Sequence, residues 1–446
     1  MAFPDEQELK REGAELLSAL IRFDTTNPPG NETPCALYLK EWLERRNISS
    51  QVFESAPGRG NLIARVEGLK GAEPLLLLSH LDVVPAVASD WSVHPFSGEV
   101  LDGSVWGRGA IDCKGPSVMQ ALALWGLVKD GFKFNRDVIL SATADEETGG
   151  KMGVEWLIEN HREKFFAPFA LNEGGGFGFK FRGRTYVTCQ TMEKKICWIE
   201  LEARGEAGHA STPIDDSAMN RMAKALAKLA DHRAPLNKDS KEALNVMWKG
   251  FAGNFGYVLA WFSSMPVVRD ALLSLISSSS LRRTIRAMLS NTISITLIKG
   301  GEKANVIPSR VSATLDCRLL PGMTHEEMLA DIQKVVEKYG VEARLSTRSK
   351  GSHSDADSPL YRAIESAVTA LGAEYRLTPI LSTGATDGRH LAAYGCKVYG
   401  FVPLMPDKGN GKILRAIHGV DERISLDNIA FGARLIADVV RRFCGV

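Results

Sequence analysis

The wholly apolar run Leu75–Leu78 is the feature that most limits what this chain can fold into. A second apolar run, Val138–Ala142, follows it, and a helical pattern at Ser117–Lys129 separates the two. A strand that is apolar at every position is typical of a sheet covered on both faces, and intervening helices are typical of parallel strand pairing. The pattern therefore predicts an α/β domain with a buried, mixed but mostly parallel sheet.

The pattern changes near Met192 and changes back near Gly351. Between these points, Ile196–Ala203 alternates as a half-buried strand does, and further strand patterns follow it. Helical patterns at Ser217–Asp231 and His325–Tyr339 accompany them. Strands with one apolar face, combined with two helices, predict a two-layer α+β domain with an exposed sheet face or edge.

The predicted domain boundaries follow from these changes. One domain comprises residues 1–192 and 350–446, and residues 193–349 are inserted into it as a second domain. Residues about 234–290 fit neither pattern, because they mix aromatic and aliphatic residues with an arginine-rich helical pattern near their end.

Composition and charge exclude several classes of protein. The 446 residues are too many for one ordinary core, which agrees with two domains. A formal net charge of +1 argues against a nucleic-acid binder. The seven cysteines are scattered and form no CxxC pair, so we expect reduced thiols rather than a disulfide framework or a thiolate zinc site.

The chain shows no pattern of a membrane span. Its most apolar stretch, Phe251–Ile276, is interrupted by a proline, an arginine and an aspartate. The N-terminal residues are charged and amphipathic, which is typical of a surface helix and not of a signal peptide. We therefore expect a cytoplasmic protein.

Two clusters of polar side chains follow the apolar strands. His80 and Asp82 are two residues apart, so they point the same way on a strand, and Asp82 could accept the second imidazole N–H of a metal-bound His80. Asp145, Glu146 and Glu147 repel one another, and cations must offset that repulsion if the three are buried. Taken singly, His80 and Asp82 are better explained as a hydrogen-bonded strand end, and a solvated acidic loop is a common alternative for the three carboxylates.

Seven motifs in order resemble one family over nearly the whole chain. They are HLDVVP, WGRGAIDCKG, ATADEETGG, NEGGG, GHAS, NVIP and IHGVDE. Their order and spacing are similar to those of the zinc metallopeptidase superfamily of aminoacylase, glutamate carboxypeptidase, Gly-Xaa carboxypeptidase and succinyl-diaminopimelate desuccinylase. The wording is most similar to the branch of Gly-Xaa carboxypeptidases and N-acyl amino acid hydrolases.

The resemblance implies a site for two Zn²⁺ ions, for which Co²⁺ or Mn²⁺ can substitute. Carried over by motif, Asp112 bridges the two metals. His80 and Glu173 complete one metal position, and Glu147 and His418 complete the other. Oxygen and imidazole ligands without thiolate suit a catalytic zinc pair.

The resemblance also implies catalytic roles beside the metals. Glu146 is the expected general base, which takes a proton from the metal-activated water and delivers it to the leaving amine. Asp82 is expected behind His80. Since the peptide bond after the bridging aspartate is often cis in this family, the resemblance predicts a cis Asp112–Cys113 bond.

The inserted domain is implied to complete the site as a lid. His209 is expected to bind the developing oxyanion, with Asn305 assisting it or anchoring substrate. Arg318 is expected to bind a substrate carboxylate. The loop that carries Gly384 and Thr386 matches a substrate loop of the family, with Gly384 allowing close approach of the backbone.

The implied protein has a phosphorylase/hydrolase-like three-layer catalytic domain and a lid that also forms a homodimer. Its implied activity is hydrolysis of amide bonds in small peptides or N-acyl amino acids that carry a free carboxylate. Desuccinylase or deacetylase activity, and an inactive binding protein of the same fold, stay open as alternatives. Residues about 234–290 match an insertion of the Gly-Xaa carboxypeptidase branch, and they are either a packing extension or an apolar wall for an acyl chain.

Overall fold

The computed structural model describes residues 2–69, 71–181, 183–405 and 416–445. The chain forms two compact units: unit 1 is Met1–Thr191, Ser354–Ile380 and Thr386–Val446, and unit 2 is Met192–His353 and Leu381–Ala385. Residues 193–349, which the sequence predicts to be an inserted domain, lie within unit 2. That they fold by themselves as a lid stays a prediction.

The described strands, in chain order, are β1 Ser49–Glu54, β2 Gly60–Val66, β3 Leu75–His80, β4 Val100–Leu101, β5 Ser104–Trp106, β6 Val138–Thr143, β7 Phe169–Asn172, β8 Gly178–Phe181, β9 Arg184–Glu193, β10 Lys195–Arg204, β11 Gly208–His209, β12 Thr292–Lys299, β13 Val306–Ile307, β14 Arg310–Leu319, β15 Val341–Arg348, β16 Tyr375–Ser382, β17 Lys397–Gly400 and β18 Arg423–Ser425. The described α-helices are α1 Glu6–Arg22, α2 Thr33–Glu44, α3 Lys114–Lys129, α4 Trp156–Asn160, α5 Arg162–Phe165, α6 Ala218–Ala230, α7 Lys238–Ala252, α8 Gly256–Ser263, α9 Pro266–Ser274, α10 Ser279–Met288, α11 His325–Val336, α12 Pro359–Thr369, α13 Gly388–Ala392 and α14 Leu426–Cys444.

The main sheet of unit 1 has nine strands, in the order β1-β2-β6-β3-β7-β17-β9-β16, with β8 paired to β9. Its centre is parallel, since β3 pairs in parallel with β6 and β7, and β17 pairs in parallel with β7. Strands β1 and β2 add an antiparallel edge. The predicted α/β class, with its mixed and mostly parallel sheet, is therefore confirmed.

The central strands bury both of their faces, as their continuous apolar sequence predicts. Leu75 and Leu77 of β3 join the larger core cluster, together with residues of α1, α3, α12 and α14. Leu76 and Leu78 point to the opposite face and pack with residues of α4, α5 and α13. Successive side chains of a strand point to opposite faces, so two separate cores form and the unit has three layers.

Helix α3 begins at Lys114, three residues before the predicted start at Ser117. Pro116 falls in its first turn, where a missing backbone N–H costs no hydrogen bond. The buried ammonium of Lys114 donates to the backbone oxygens of Leu20 and Phe23, at 3.0 and 2.8 Å, which fixes this end of the helix against α1.

Unit 2 contains a four-stranded antiparallel sheet in the order β12-β14-β10-β15. Every second residue of β10 from Cys197 to Ala203 is buried, and these residues pack with α6 and α11 in one core. The other face is open, and Trp198 on it is 41% exposed. The alternating burial of β10 agrees with its sequence pattern, whereas the two-layer lid domain as a whole stays a prediction.

Residues 234–290, which fit neither sequence pattern, contain the four helices α7–α10. Ala243, Leu244 and Met247 of α7 form a small core with Leu289 and Leu320 of unit 2. In the part of the chain that the structure describes, no helix is long and apolar enough to cross a bilayer.

Candidate metal centre

Three of the predicted ligands follow the carboxyl ends of neighbouring parallel strands. Strand β3 ends at His80, and β7 ends one residue before Glu173. Strand β6, which lies on the other side of β3, ends four residues before Glu147. Carboxyl ends of parallel strands share one edge of a sheet, and ligands of α/β proteins bind at that edge.

Asp112 lies between the two predicted histidine ligands. Its Oδ1 is 3.0 Å from Nε2 of His80, and its Oδ2 is 3.1 Å from Nε2 of His418. Glu173 Oε2 is 3.4 Å from the same nitrogen of His80, and Glu147 Oε1 is 3.2 Å from the same nitrogen of His418. The structure thus brings all five predicted ligands together as two groups of donors that share one carboxylate.

The donor set fits a pair of divalent cations. Within each group, the donor atoms lie within 4.8 Å of one another, which a single ion can bridge. The donors are carboxylate oxygens and imidazole nitrogens, which suit Zn²⁺, Co²⁺ or Mn²⁺. A carboxylate shared between two such groups is an arrangement that can hold two metal ions close together.

Cys113 also has its sulfur among the donors of the His80 group, which the sequence does not lead one to expect. Burial raises the pKa of this thiol well above its ordinary value, and the negative charge of Glu173 raises it further. Because the thiolate is the form that binds metal, the oxygen and imidazole donors are the better ligand set. All seven cysteines are buried free thiols.

The titratable groups of the centre have shifted pKa values. Burial raises the pKa of Glu146 well above its usual range, and the negative charge of Glu173 adds to the effect. Hydrogen bonds to Asp112 and Glu147 raise the pKa of His418 to about 10. Several partly buried carboxyl groups thus lie close together, and divalent cations among them would offset their mutual repulsion.

Asp82 fixes the turn that carries both neighbouring glutamates. Its two carboxylate oxygens accept hydrogen bonds from the backbone N–H groups of Glu146 and Glu147, at 3.1 and 3.0 Å. The closer partner of Nδ1 of His80 is the backbone oxygen of Asp82, at 2.9 Å, whereas the carboxylate is 3.3 Å away. Asp82 thus lies next to His80 with its carbonyl as the nearer acceptor, and its role in catalysis stays a prediction.

Glu422 holds the loop that presents Asp112, and the sequence gives it no role of its own. It is completely buried, and its carboxylate accepts from the backbone N–H groups of Ile111 and Asp112, at 2.7 and 3.1 Å. Arg108 donates to it at 2.8 Å. The predicted cis peptide bond between Asp112 and Cys113 is present in this loop. The only sequence signal for Glu422 is its place at the end of the IHGVDE motif.

Arg59 is a second supporting residue that the sequence patterns do not predict, and it is buried. Its guanidinium donates to both carboxylate oxygens of Glu32, at 2.8 and 3.0 Å, and to Oδ1 of Asp145 at 3.1 Å. Asp145 has a left-handed backbone (φ 73°) and directly precedes Glu146. Burial raises the pKa of Glu32 to about 7, against the lowering effect of the Arg59 charge. Arg59 therefore anchors the start of the acidic turn.

The Arg59→Met variant is expected to lose about 3–5 kcal/mol of unfolding free energy, because two buried carboxylates would be left without their cation. Urea unfolding at neutral pH measures this loss. Arg65→Met is the matched control, since the Arg65–Asp137 pair is only partly buried and its removal should cost about 1 kcal/mol or less. Equal losses in the two variants would contradict the anchoring role.

The predicted lid residues His209, Asn305 and Arg318 lie in unit 2; of the predicted substrate loop, Gly384 lies in unit 2 and Thr386 in unit 1. The short strands β11 and β13 pair His209 with Val306, and the backbone oxygen of Asn305 accepts from Ala210 N–H at 3.0 Å. His209 and Asn305 are thus neighbours, and both are exposed. Nδ1 of the histidine is 2.7 Å from the hydroxyl oxygen of Ser211.

Arg318 and the loop residues have partners of their own. The guanidinium of Arg318 forms two hydrogen bonds to the carboxylate of Asp316, at 2.7 and 3.0 Å. In unit 1, Thr386 is buried, and its hydroxyl oxygen accepts from the side-chain amide of Asn172 at 2.9 Å. A Cβ on Gly384 would meet only the Ser382 hydroxyl, at 3.7 Å, so the surrounding chain does not require glycine there.

Comparisons with known proteins bear on the same residues. The family model of Peptidase family M20/M25/M40 matches residues 76–442, which include the five donor residues. The chain is 29% identical over 435 residues to the N-fatty-acyl-amino acid synthase/hydrolase PM20D1 of Xenopus tropicalis, which covers 94% of this chain and 83% of the relative. It is 24% identical to aminoacylase-1 of Mus musculus, over 90% of this chain and 88% of that protein.

The solved structures agree in fold. An M20 family metallo-carboxypeptidase, Sso-CP2 of Sulfolobus solfataricus, superimposes with a TM-score of 0.69 at 19% identity, over 97% of this chain and 99% of that chain. The superfamily and the branch that the motifs indicate are therefore confirmed.

Proposed function

Because this chain belongs to peptidase family M20/M25/M40 and is a metal-dependent hydrolase of amide bonds, we propose that it cleaves N-acyl amino acids or small peptides with a free carboxylate, using two divalent cations. One observation supports the binding of two cations most directly: the two carboxylate oxygens of Asp112 lie next to two different histidines. We assign Zn²⁺ as the native cation, with Co²⁺ or Mn²⁺ as substitutes.

Some residues of unit 1 would bind the cations, and Glu146 would transfer the proton. His80 and Glu173 would hold one cation, Glu147 and His418 the other, with Asp112 shared. When bound, the cations supply Lewis-acid activation of water and of the substrate carbonyl. Glu146 is adjacent to a ligand but lies outside both groups of donors, which leaves its carboxylate available to accept a proton and return it to the leaving nitrogen.

Both units carry groups of suitable chemistry for the substrate. We propose that His209, with Asn305 beside it, donates to the developing oxyanion. Arg318 would bind the substrate carboxylate, in competition with its present partner Asp316. Gly384 and Thr386 are proposed as parts of the substrate loop, with Thr386 held in place by Asn172.

The named relatives favour N-acyl amino acids over succinylated substrates. The match to the N-fatty-acyl-amino acid synthase/hydrolase covers nearly the whole chain. A desuccinylase- or deacetylase-type activity is the second candidate. An inactive binding protein is disfavoured, because every predicted donor position carries a metal-binding residue and the donors of each group are within reach of one another.

We propose that two copies of the chain form a homodimer by pairing the edges of their unit 2 sheets. Strand β12 is the outer strand of that sheet, and its Leu297 and Ile298 are 52% and 62% exposed. An apolar edge strand is a ready template for pairing with a second copy. The predicted cytoplasmic location stays a prediction.

A hydrolysis screen tests the proposed substrates. Purified protein, loaded with Zn²⁺, Co²⁺ or Mn²⁺ in turn, is offered dipeptides, N-acetyl and N-fatty-acyl amino acids, and N-succinyl amino acids. We expect turnover of N-acyl amino acids or dipeptides, and loss of that turnover when the substrate carboxylate is amidated. Turnover confined to N-succinyl substrates would favour the second candidate, and no turnover with any metal would favour the binding protein.

A further inference from the structure

The helices α8 and α9 of unit 2 expose an unusual number of apolar side chains. Six of these exposed side chains, here named the apolar patch, are Tyr257, Val258, Trp261, Phe262, Val267 and Leu272, with exposed fractions from 37% to 83%. Isolated exposed apolar residues are normal on a protein surface, but six of them on two helices that contact each other indicate a binding surface.

The exposed and buried residues of α8 lie on opposite faces of the helix. On α8, Tyr257, Val258, Trp261 and Phe262 are exposed, while the opposite positions Gly256, Ala260 and Ser263 are buried. Positions four residues apart share a face of a helix, so the aromatic side of α8 points outward and its small residues point to the core. This is the reverse of the arrangement in a helix that packs its large residues inward.

The surroundings of the apolar patch are strongly basic. Residues 234–290 contain seven basic and three acidic side chains, a formal net charge of +4, whereas the whole chain has +1. On α9, the single acidic residue Asp270 lies within 4.0 Å of the guanidinium groups of Arg233 and Arg286, whose side chains reach solvent, and of the buried guanidinium group of Arg269. The ammonium of Lys249 lies 5.8 Å from the ring centre of Tyr257.

We propose that the apolar patch docks this protein on the surface of an anionic lipid bilayer. Exposed tryptophan, tyrosine and aliphatic side chains beside lysine and arginine are the combination that enters the headgroup region while pairing with anionic lipids. A second copy of this chain is a poorer occupant, because a symmetric contact would bring two basic segments together. A free acyl chain is a poorer occupant as well, since the outward face of a helix is convex and ligand pockets are concave.

Flotation of the full-length protein with vesicles tests the proposal. Vesicles of phosphatidylcholine with about one third phosphatidylserine are compared with vesicles of phosphatidylcholine alone, at about 0.1 M and about 0.5 M salt. We expect binding to the anionic vesicles only, weakened at the higher salt. This expectation does not depend on the proposed catalytic activity.

Two pairs of variants locate the binding surface. Trp261→Ser and Arg283→Glu are each expected to weaken vesicle binding about tenfold. Trp198→Ser and Arg344→Glu, which change exposed residues on the sheet of the same unit, are expected to leave it unchanged. Thermal unfolding of each variant confirms that it is folded.

Three results would overturn the proposal. The wild type could fail to bind anionic vesicles at low salt. The control variants could weaken binding as much as Trp261→Ser and Arg283→Glu do. Sedimentation equilibrium without lipid could show a dimer that Trp261→Ser dissociates while vesicle binding is absent, which would assign the apolar patch to a second copy.

Discussion

The Asp112→Asn variant is expected to lose high-affinity binding of both cations, and with them all measurable turnover. The carboxylate offers one oxygen to the His80 side and the other to the His418 side. An amide has only one oxygen, and its nitrogen donates hydrogen bonds and does not bind cations. The remaining oxygen also lacks the negative charge that offsets two divalent ions, so both positions are weakened at once.

Metal analysis separates this shared role from that of an ordinary ligand. After dialysis against metal-free buffer, we expect about two metal ions per chain in the wild type and clearly less than one in Asp112→Asn. Glu173→Gln and Glu147→Gln each remove a donor from one side only, so each should retain about one ion. Asp90→Asn, a change at an exposed residue, is the control. Two ions retained by Asp112→Asn at unchanged affinity would show that Asp112 is not shared.

Local patterns in the sequence predict the elements of the sheet because burial acts on each strand separately. The run Leu75–Leu78 is apolar at every position, and the structure places its alternate residues in two different cores. The alternation of Ile196–Ala203 gives one buried and one open face, as the structure has it. The resemblance to the family added what periodicity cannot, namely which distant polar residues meet.

The sequence patterns do not predict the supporting residues Glu422 and Arg59, because the partners of these residues are far away in the chain. Glu422 accepts a hydrogen bond from Asp112, which is 310 residues away, and Arg59 joins Glu32 to Asp145 across separations of 27 and 86 residues. No local spacing marks such contacts. The residue type alone favours a solvated surface position for each of them, and only the fold shows that they are buried.

Most helices of residues 234–290 are not predicted from the sequence, for a different reason. Periodicity predicts a helix by assuming that its apolar residues face the core. On α8 the large apolar residues Tyr257 and Trp261 face outward, while Gly256 and Ala260 face inward. The sequence therefore looks neither amphipathic nor buried. The arginine-rich pattern near the end of this segment, Leu281–Leu289, does predict a helix, and the structure has it as α10, Ser279–Met288.

The Glu146→Gln variant is expected to lower kcat by about 10²–10⁴-fold while the metal content stays unchanged. Glutamine has nearly the same shape but cannot accept the proton of the attacking water. The backbone N–H of Glu146 would still donate to Asp82, so the turn and the neighbouring ligand Glu147 should keep their positions. A loss confined to the transition state lowers kcat and kcat/KM to a similar extent.

Steady-state kinetics and metal analysis of the same preparations test this expectation, with Glu159→Gln, a change at an exposed residue, as the control. Glu146→Asp retains the carboxylate but shortens its reach by one methylene, so it should keep more activity than Glu146→Gln. That order distinguishes a proton-transfer role from a purely structural one, since a structural role would be served at least as well by the isosteric amide. Turnover of Glu146→Gln within about tenfold of the wild type, at full metal content, would remove Glu146 from the mechanism.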